Sequence, residues 1–187
     1  MPINGVGWEL HIIRHSEQIN SIGKRRTVGT YQVYHDGVAQ AQLDLSGTMA
    51  ETRGPGANSP AGNHRRVEEG RYPLYTQKGG KYVTIGYASS INPAVKPKPG
   101  LELKETGSRT EILIHPGSNF LSSVGCLNPC TSLPRSSEMI DFKPSRRRVI
   151  SIIEDLKQYI ADFPAKNGQK IPHAYVVIDG EPTPELA

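Results

Sequence analysis

The sequence predicts a mainly β domain of the α+β class with one C-terminal helix. Short runs of β-branched and aromatic residues alternate with turn signals through the first half of the chain. The 19 glycines and 15 prolines among 187 residues interrupt the chain too often for a helical bundle. Apolar side chains at three- and four-residue spacing mark one helix, from Ser145 to about Phe163. We expect residues 1–187 to form a single domain, because this length suits one hydrophobic core.

Three short strands are predicted in the first part of the chain. Trp8–Arg14, Gly29–His35 and Val38–Leu45 have strand composition, and the last of them alternates with period two. Asp36-Gly37 between the second and third runs is a strong signal for a two-residue hairpin turn. The Gly, Pro, Asn and Ser content of residues 51–62 then predicts a long loop, a kind of segment that often has a function.

A second hairpin is predicted from Arg71–Thr76 and Lys81–Tyr87, joined by the Gly79-Gly80 turn. The prolines of residues 91–100 exclude a central strand there, because proline has no N–H group to donate to a neighbouring strand. This segment is therefore predicted to be another loop.

The second half of the chain is predicted to contain a buried strand, the helix and a final strand. Glu111–His115 is a compact apolar run that presents a histidine to the following loop. Ser145 is predicted to cap the helix and Pro164 to end it. His173–Ile178 has strand composition, and residues 180–187 are predicted to form a frayed tail.

The hydropathy and charge patterns argue against a membrane span and a nucleic-acid partner, but they leave other anionic partners open. The net charge of +4 suits phosphates, acidic lipids or an anionic cell-wall polymer equally well. No window approaches the roughly 18 apolar residues of a membrane span, so we expect none. The Arg146–Arg148 run lacks interleaved aromatic residues, so no nucleic-acid partner is predicted. Ion pairs with Glu154 and Asp155 are expected for it instead.

The residues with the clearest chemical meaning lie between Arg109 and Cys130. A thiol nucleophile needs a base, a turn that exposes the sulfur and N–H donors for the oxyanion. His115 ends a predicted strand, and Cys126 follows Gly125 eleven residues later. The N–H groups of Val124, Gly125 and Cys126 would form an anion-binding concavity if this loop bends as a nest. We therefore expect Cys126 to have a lowered pKa beside His115.

These residues resemble a known enzyme family. The order of His115, a Gly-containing loop and then Ser123–Asn128 is similar to the catalytic core of the L,D-transpeptidases. It resembles still more closely, in spacing, a related phage- and bacteria-associated family with an Ile-His-Pro-Gly and Gly-Cys core. Gly70–Leu74 and Tyr82–Tyr87 match the upstream strand pair of that smaller family, and the sharpest similarity is confined to Arg109–Asn128.

The resemblance implies an L,D-transpeptidase-like β-sandwich or barrel and assigns roles to individual residues. Cys126 would be the nucleophile, and His115 the general base and then the general acid. A backbone carbonyl near Pro116 would orient the imidazole, and the N–H groups of Gly125 and Cys126 would hold the oxyanion. Arg109 matches an arginine of the smaller family and would bind a substrate carboxylate, unless it forms a structural ion pair.

Four further residues have less specific signals. Val124 stands where typical family members carry a histidine, which implies an altered substrate preference. Ser123 is expected to bond either the imidazole or the loop backbone. Glu51 and Arg53 flank the predicted long loop and fit either a substrate cleft or a loop salt bridge.

The implied substrates are peptidoglycan stem peptides, and the reaction is hydrolysis or transpeptidation without a cofactor. The N-terminal residues lack the pattern of a secretory signal peptide. We therefore expect a protein that is cytoplasmic in its producer and reaches the envelope through a specialised secretion system or phage lysis. An antibacterial toxin of this kind implies an immunity protein as partner.

Two alternatives from other classes remain open at this point. Cys126 and Cys130, with His115 and His173, could bind zinc, although Cys-x-x-x-Cys alone is a weak metal signal. The two thiols could instead form a redox or structural disulfide, or pack in the core. A non-catalytic cell-wall-binding module with the same fold is the second alternative.

Overall fold

The computed structural model describes residues 2–182, which form a mainly β fold with one helix, as the sequence predicts. No helix in this range is long and apolar enough to cross a membrane. The elements, in chain order, are β1 (Trp8–Ile19), β2 (Arg25–His35), β3 (Val38–Ala39), β4 (Ser46–Thr52), β5 (Gly70–Thr76), β6 (Tyr82–Val83), β7 (Lys98–Pro99), β8 (Leu101–Leu103), β9 (Ile112–Ile114), β10 (Asn128–Cys130), α1 (Phe142–Tyr159) and β11 (Lys170–Asp179).

The main sheet curls until it is nearly a closed barrel. Its strand order is β10-β4-β2-β1-β11-β5-β8-β9, with β3 paired to β2, so β9 and β10 lie at opposite ends. Leu127, just before β10, forms a parallel bridge with Ile114 of β9. Its N–H donates to Leu113 O at 2.8 Å, and its carbonyl accepts from His115 N at 3.0 Å. This seam brings Cys126 to the end of β9.

The core lies between the inner face of the barrel and the apolar face of α1. Alternate side chains of β1 point inward, as expected for a strand with one buried face, and Trp8, Leu10 and Ile12 are fully buried. The indole N–H of Trp8 donates to Asp155 of α1 at 2.7 Å, so its one polar atom is satisfied. The apolar helix residues facing this core recur at three- and four-residue spacing and are Val149, Ile152, Ile153 and Leu156.

A buried ionic network ties the end of the chain to the barrel. Arg14 donates to both carboxylate oxygens of Glu51, at 2.9 and 2.7 Å, and to Glu181 at 2.9 Å. Arg66 donates to the second oxygen of Glu181 at 2.9 Å and to Glu17 at 2.7 Å. Glu181 therefore bridges two arginines whose side chains are almost entirely inaccessible to solvent.

This network corrects two predictions. Glu51 is 1% exposed and paired with Arg14, so it is a structural residue and not part of a substrate cleft. The predicted frayed tail, residues 180–187, is held at Glu181 because a carboxylate between two desolvated guanidinium groups is strongly attracted. Residues 183–187 of that tail lie outside the described residues.

Replacing Glu51 with alanine should lower the free energy of unfolding by about 3–5 kcal/mol, because Arg14 would be left buried without this partner. Urea unfolding followed by circular dichroism measures the loss. The matched control is Glu154→Ala, which removes an exposed carboxylate paired with Lys157 and should change stability by less than about 1 kcal/mol. Equal changes in the free energy of unfolding for the two substitutions would contradict the structural role of Glu51.

The first predicted hairpin is confirmed, but its second strand is shorter than expected. Asp36-Gly37 joins β2 to β3, with both residues at positive φ, as a type I′ turn requires. The strand predicted over Val38–Leu45 ends at Ala39, because Leu45 turns into the core and is 2% exposed. The next strand, β4, falls partly in the predicted loop. Its sequence SGTMAET offers few apolar residues, yet β2 and β10 pair with its two edges.

The second predicted hairpin is present only as a short antiparallel bridge between Lys78 and Val83, across the Gly79-Gly80 turn. The strand β5 forms as expected, but β11 and β8 occupy its two edges. Residues after the Gly79-Gly80 turn therefore do not pair with β5 itself. Thr84 N donates to Gln77 O at 3.2 Å, just beyond the end of β5, and β6 also pairs with β7 in a separate two-stranded sheet. Residues 91–100 avoid the main sheet, as their prolines predict.

The predicted helix is present with shifted ends. Asp141 is its N-cap, with a side-chain oxygen that accepts from Lys143 N at 3.2 Å. Ser145, the predicted cap, lies inside the first turn and is fully buried. Its hydroxyl donates to Pro129 O at 2.5 Å and accepts from Gly117 N at 2.8 Å, which joins the helix to the segments on both sides of Cys126.

The arginine run pairs with a different carboxylate from those predicted. Arg147 donates to Asp44 at 2.6 Å, and Arg148 lies 3.7 Å from the same carboxylate. Asp155, one of the two predicted partners, accepts from the Trp8 indole instead. These ion pairs attach the first turns of α1 to the segment before β4.

Candidate active site

A cavity of about 330 Å³ opens at the barrel seam. It is lined by the end of β9, by the turn that carries Lys81 and Tyr82, and by the segment before β10. Both His115 and Cys126 are on its wall. The structure therefore brings together the two residues that the sequence predicts as base and nucleophile.

The sulfur of Cys126 is held by the end of β9. It accepts from Leu113 N at 3.4 Å, and its S–H donates to Glu111 O at 3.5 Å. The Ser123 hydroxyl donates to Cys126 O at 3.1 Å, so Ser123 bonds the loop backbone, the second of its two predicted roles. Because Leu127 is fixed by the seam, the thiol has a defined position in the cavity.

The imidazole of His115 is buried and oriented by its neighbours. Its Nδ1 lies 2.9 Å from Pro116 O, the contact that the resemblance implies for an orienting carbonyl. This contact makes Nδ1 the protonated nitrogen and leaves Nε2 as the basic atom. The Tyr82 ring packs against the imidazole with centroids 4.4 Å apart, and the Asn128 side chain donates to His115 O at 2.9 Å.

Cys126 and His115 share the cavity without a direct hydrogen bond, as far as residues 2–182 show. The thiol proton is directed to Glu111 O instead. Apo structures of enzymes often have long or misaligned catalytic contacts that tighten when substrate binds. Transfer of the thiol proton to the imidazole requires the S–H to turn away from Glu111 O.

The electrostatics of the site favour a neutral pair. Burial, together with the positive charges of Lys81 and Lys98, lowers the pKa of His115 to about 4, although the bond to Pro116 O opposes this shift. Burial raises the pKa of the Cys126 thiol, and the Leu113 N–H and the Arg109 guanidinium only partly oppose this. The prediction of a lowered thiol pKa is therefore wrong for the unliganded site, because desolvation exceeds the stabilisation by nearby donors.

Arg109 lies behind the turn at Gly125 and not on the cavity wall. It is 6% exposed, and it donates to Ala57 O at 3.0 Å. Its Nη2 occupies the position that a side chain at residue 125 would need. The predicted contact with a substrate carboxylate is therefore not available in this conformation, and the guanidinium supports the turn and the thiol instead.

The turn before Cys126 has two further properties. Gly125 has φ +109°, which side chains rarely adopt. The backbone N–H groups of Val124 and Gly125 donate to no acceptor within the described part of the chain. Unsatisfied N–H groups beside the thiol agree with the predicted oxyanion site.

Gly125→Ala tests this turn, because the new methyl group would overlap Arg109 Nη2. We expect a stability loss about 1–3 kcal/mol larger than that of Gly62→Ala, the matched control. Gly62 also has positive φ, but no atom lies within 4 Å of its Cβ position. Thermal unfolding measures the difference, and equal melting temperatures for the two variants would contradict the overlap.

Three residues of the site were not predicted as functional: Lys81, Tyr82 and Asn128. Tyr82 and Asn128 fall within segments that carry the family resemblance, which was the available signal. Lys81 lies next to the Gly79-Gly80 turn, and no pattern in the sequence indicates that it would face His115. Arg53, a predicted substrate residue, lies in a neighbouring cavity and not in this one.

The metal and disulfide alternatives find no geometric support. Cys130 is fully buried in an apolar cluster with Phe120 and Leu133, whereas Cys126 lines the cavity. His173 lines a different cavity, near Tyr159. Within residues 2–182, no three His, Cys, Asp or Glu side chains converge as a metal site would require, and both cysteines are free thiols.

Comparisons with protein-family models, curated proteins and solved structures find no match for this chain. The L,D-transpeptidase resemblance therefore stays a prediction from residues Arg109–Asn128. The functional argument depends on the chemistry of the cavity itself.

Proposed function

We propose that this protein is a cysteine-dependent acyl-transfer enzyme with Cys126 as its nucleophile and His115 as its base. One observation carries the proposal: a thiol and an imidazole line the same cavity, and the imidazole is oriented through Nδ1 with Nε2 left basic. A neutral imidazole is the form that accepts a proton, and the lowered pKa of His115 keeps it neutral at physiological pH.

In the first half of the reaction, the Cys126 sulfur attacks a peptide carbonyl while His115 Nε2 takes the thiol proton. The carbonyl oxygen becomes an oxyanion facing the N–H groups of Val124, Gly125 and Cys126. When the C–N bond breaks, His115 gives its proton to the departing amine. A thioester on Cys126 remains.

In the second half, water or an amine attacks the thioester and His115 takes a proton from this acceptor. Collapse breaks the C–S bond and returns the thiol. Water gives carboxypeptidase or endopeptidase action, and an amine gives transpeptidation or D-amino-acid exchange. Neither route needs a cofactor.

The substrate class of this proposal is the peptidoglycan stem peptide, on the strength of the family resemblance. The protein would act as an antibacterial effector that reaches the envelope through a specialised secretion system or phage lysis. A cognate immunity protein would cover the cavity in the producer.

Purified peptidoglycan fragments incubated with the wild-type protein, with and without a D-amino acid, test the proposal. Mass spectrometry distinguishes loss of a terminal residue from its exchange. We also expect an acyl-enzyme adduct on Cys126 in intact-mass spectra. Unchanged fragments under all conditions would overturn the proposal and leave the binding-module alternative.

A further inference from the structure

A second cavity of about 460 Å³ adjoins the one that contains Cys126. The two cavities share Ser122, Ser123 and Val124, which form a ridge between them. Ser122 is exposed, and Val124 is 58% exposed although it is apolar. A ligand that crosses this ridge would contact both cavities.

The second cavity has a positive lining. Lys24, Arg25, Arg53 and His64 line it, and no aspartate or glutamate does so among the described residues. Lys24 Nζ donates to Leu121 O at 2.9 Å, which ties the basic turn before β2 to the ridge. We call this cavity the basic groove.

Two of its cations can accept an anionic ligand. Arg25 has one carboxylate nearby, Glu17 at 3.7 Å, and its own side chain is 41% exposed. The Arg53 guanidinium is exposed and has no side-chain partner within residues 2–182. Arginine binds carboxylates with two parallel hydrogen bonds, so two such groups suit an acidic peptide.

We propose that the basic groove binds the carboxylate groups of the same peptide whose carbonyl is attacked by Cys126. The proposal rests on the proposed function and adds the substrate's charge and its direction across the ridge. A groove with charges of one sign also concentrates ligands of the opposite sign near its mouth.

The position of the groove supports this assignment. The ridge between the two cavities is also the segment that leads into Cys126, so an occupant of the groove lies against the chain beside the nucleophile. Val124 offers an apolar contact at the crossing point. An acidic stem peptide can therefore place its carboxylates in the groove and its scissile carbonyl at the thiol.

Arg53→Gln tests the groove with two synthetic stem peptides, one with free side carboxylates and one with these groups amidated. We expect Arg53→Gln to raise KM for the free-carboxylate peptide about fivefold, with kcat unchanged, because an exposed charge pair contributes up to about one kcal/mol. The amidated peptide should show the same KM with both proteins. Lys157→Gln, which removes one positive charge outside both cavities, is the matched control.

A binding measurement separates this inference from the proposed function. Isothermal titration of Cys126→Ala protein with each peptide should show weaker binding of the amidated one, and adding Arg53→Gln should reduce this difference. Wild-type protein that releases no product would overturn the proposed function. The titration would still show whether the basic groove binds the carboxylate groups of the peptide. Equal binding of both peptides, or equal losses of affinity in Arg53→Gln and Lys157→Gln, would overturn the proposal that the groove binds carboxylates.

Discussion

Cys126→Ala should lower product release by at least about 10³-fold, because no other thiol lines the cavity and removal of a nucleophile costs several powers of ten. The variant should fold normally, since the hydrogen bonds of the sulfur within residues 2–182, with Leu113 N and Glu111 O, are both long. Mass spectrometry of peptidoglycan fragments gives the rate, and circular dichroism checks the fold.

The matched control for this variant is Cys130→Ala. Cys130 is fully buried in the apolar cluster with Phe120 and Leu133, so its replacement should affect stability and not turnover. Serine at this position is a poorer control because it buries a hydroxyl among apolar side chains. A Cys126→Ala rate above about a tenth of the wild-type rate would remove Cys126 as the nucleophile.

His115→Asn should lower turnover by about 10²- to 10⁴-fold, the usual contribution of a positioned acid–base group. Asparagine places an amide near the position of Nδ1 and can still donate to Pro116 O, but it has no counterpart of Nε2. The matched control is His15→Asn, which changes an exposed histidine that lies outside the cavity and forms a hydrogen bond with Thr30 Oγ1. A His115→Asn rate close to the wild-type rate would exclude the imidazole as base.

The same histidine predicts how stability depends on pH. Its pKa falls from an ordinary 6.5 to about 4 on folding, so between these values the unfolded chain binds the proton more readily. The stabilisation is complete above pH 6.5 and is lost as the pH falls through 4, an effect on the order of 3 kcal/mol at most. Urea unfolding at several pH values should show this loss in the wild-type protein and much less of it in His115→Asn.

Local sequence patterns were sufficient to predict several elements of the fold and the two residues proposed as nucleophile and base. A type I′ turn needs two residues that tolerate positive φ, so the dipeptide Asp36-Gly37 is sufficient to predict it. The apolar run at β9 predicts a buried strand from composition alone, with His115 directly after it. The family-like motif then connects His115 to Cys126 before any geometry is known.

Tertiary structure alone decided the surroundings of these residues. Glu51 pairs with Arg14 because β1, β2 and β4 lie side by side, and no local pattern specifies which distant arginine meets a carboxylate. The short strands β8 and β10 form because long neighbours offer them free edges, although three residues have little strand preference of their own.

Closure of the barrel also determined the protonation of the two candidate catalytic groups and the residues around them. The sequence predicts a thiol activated by histidine. In the folded barrel the imidazole is buried and the thiol is half-buried, and desolvation favours the neutral form of both groups. The same closure places the basic groove beside Cys126, although its basic residues precede Cys126 by 62 to 102 positions in the chain. Desolvation and long-range contacts are properties of the assembled sheet, so the sequence determined which two groups are candidates for catalysis and the fold determined their protonation and their neighbours.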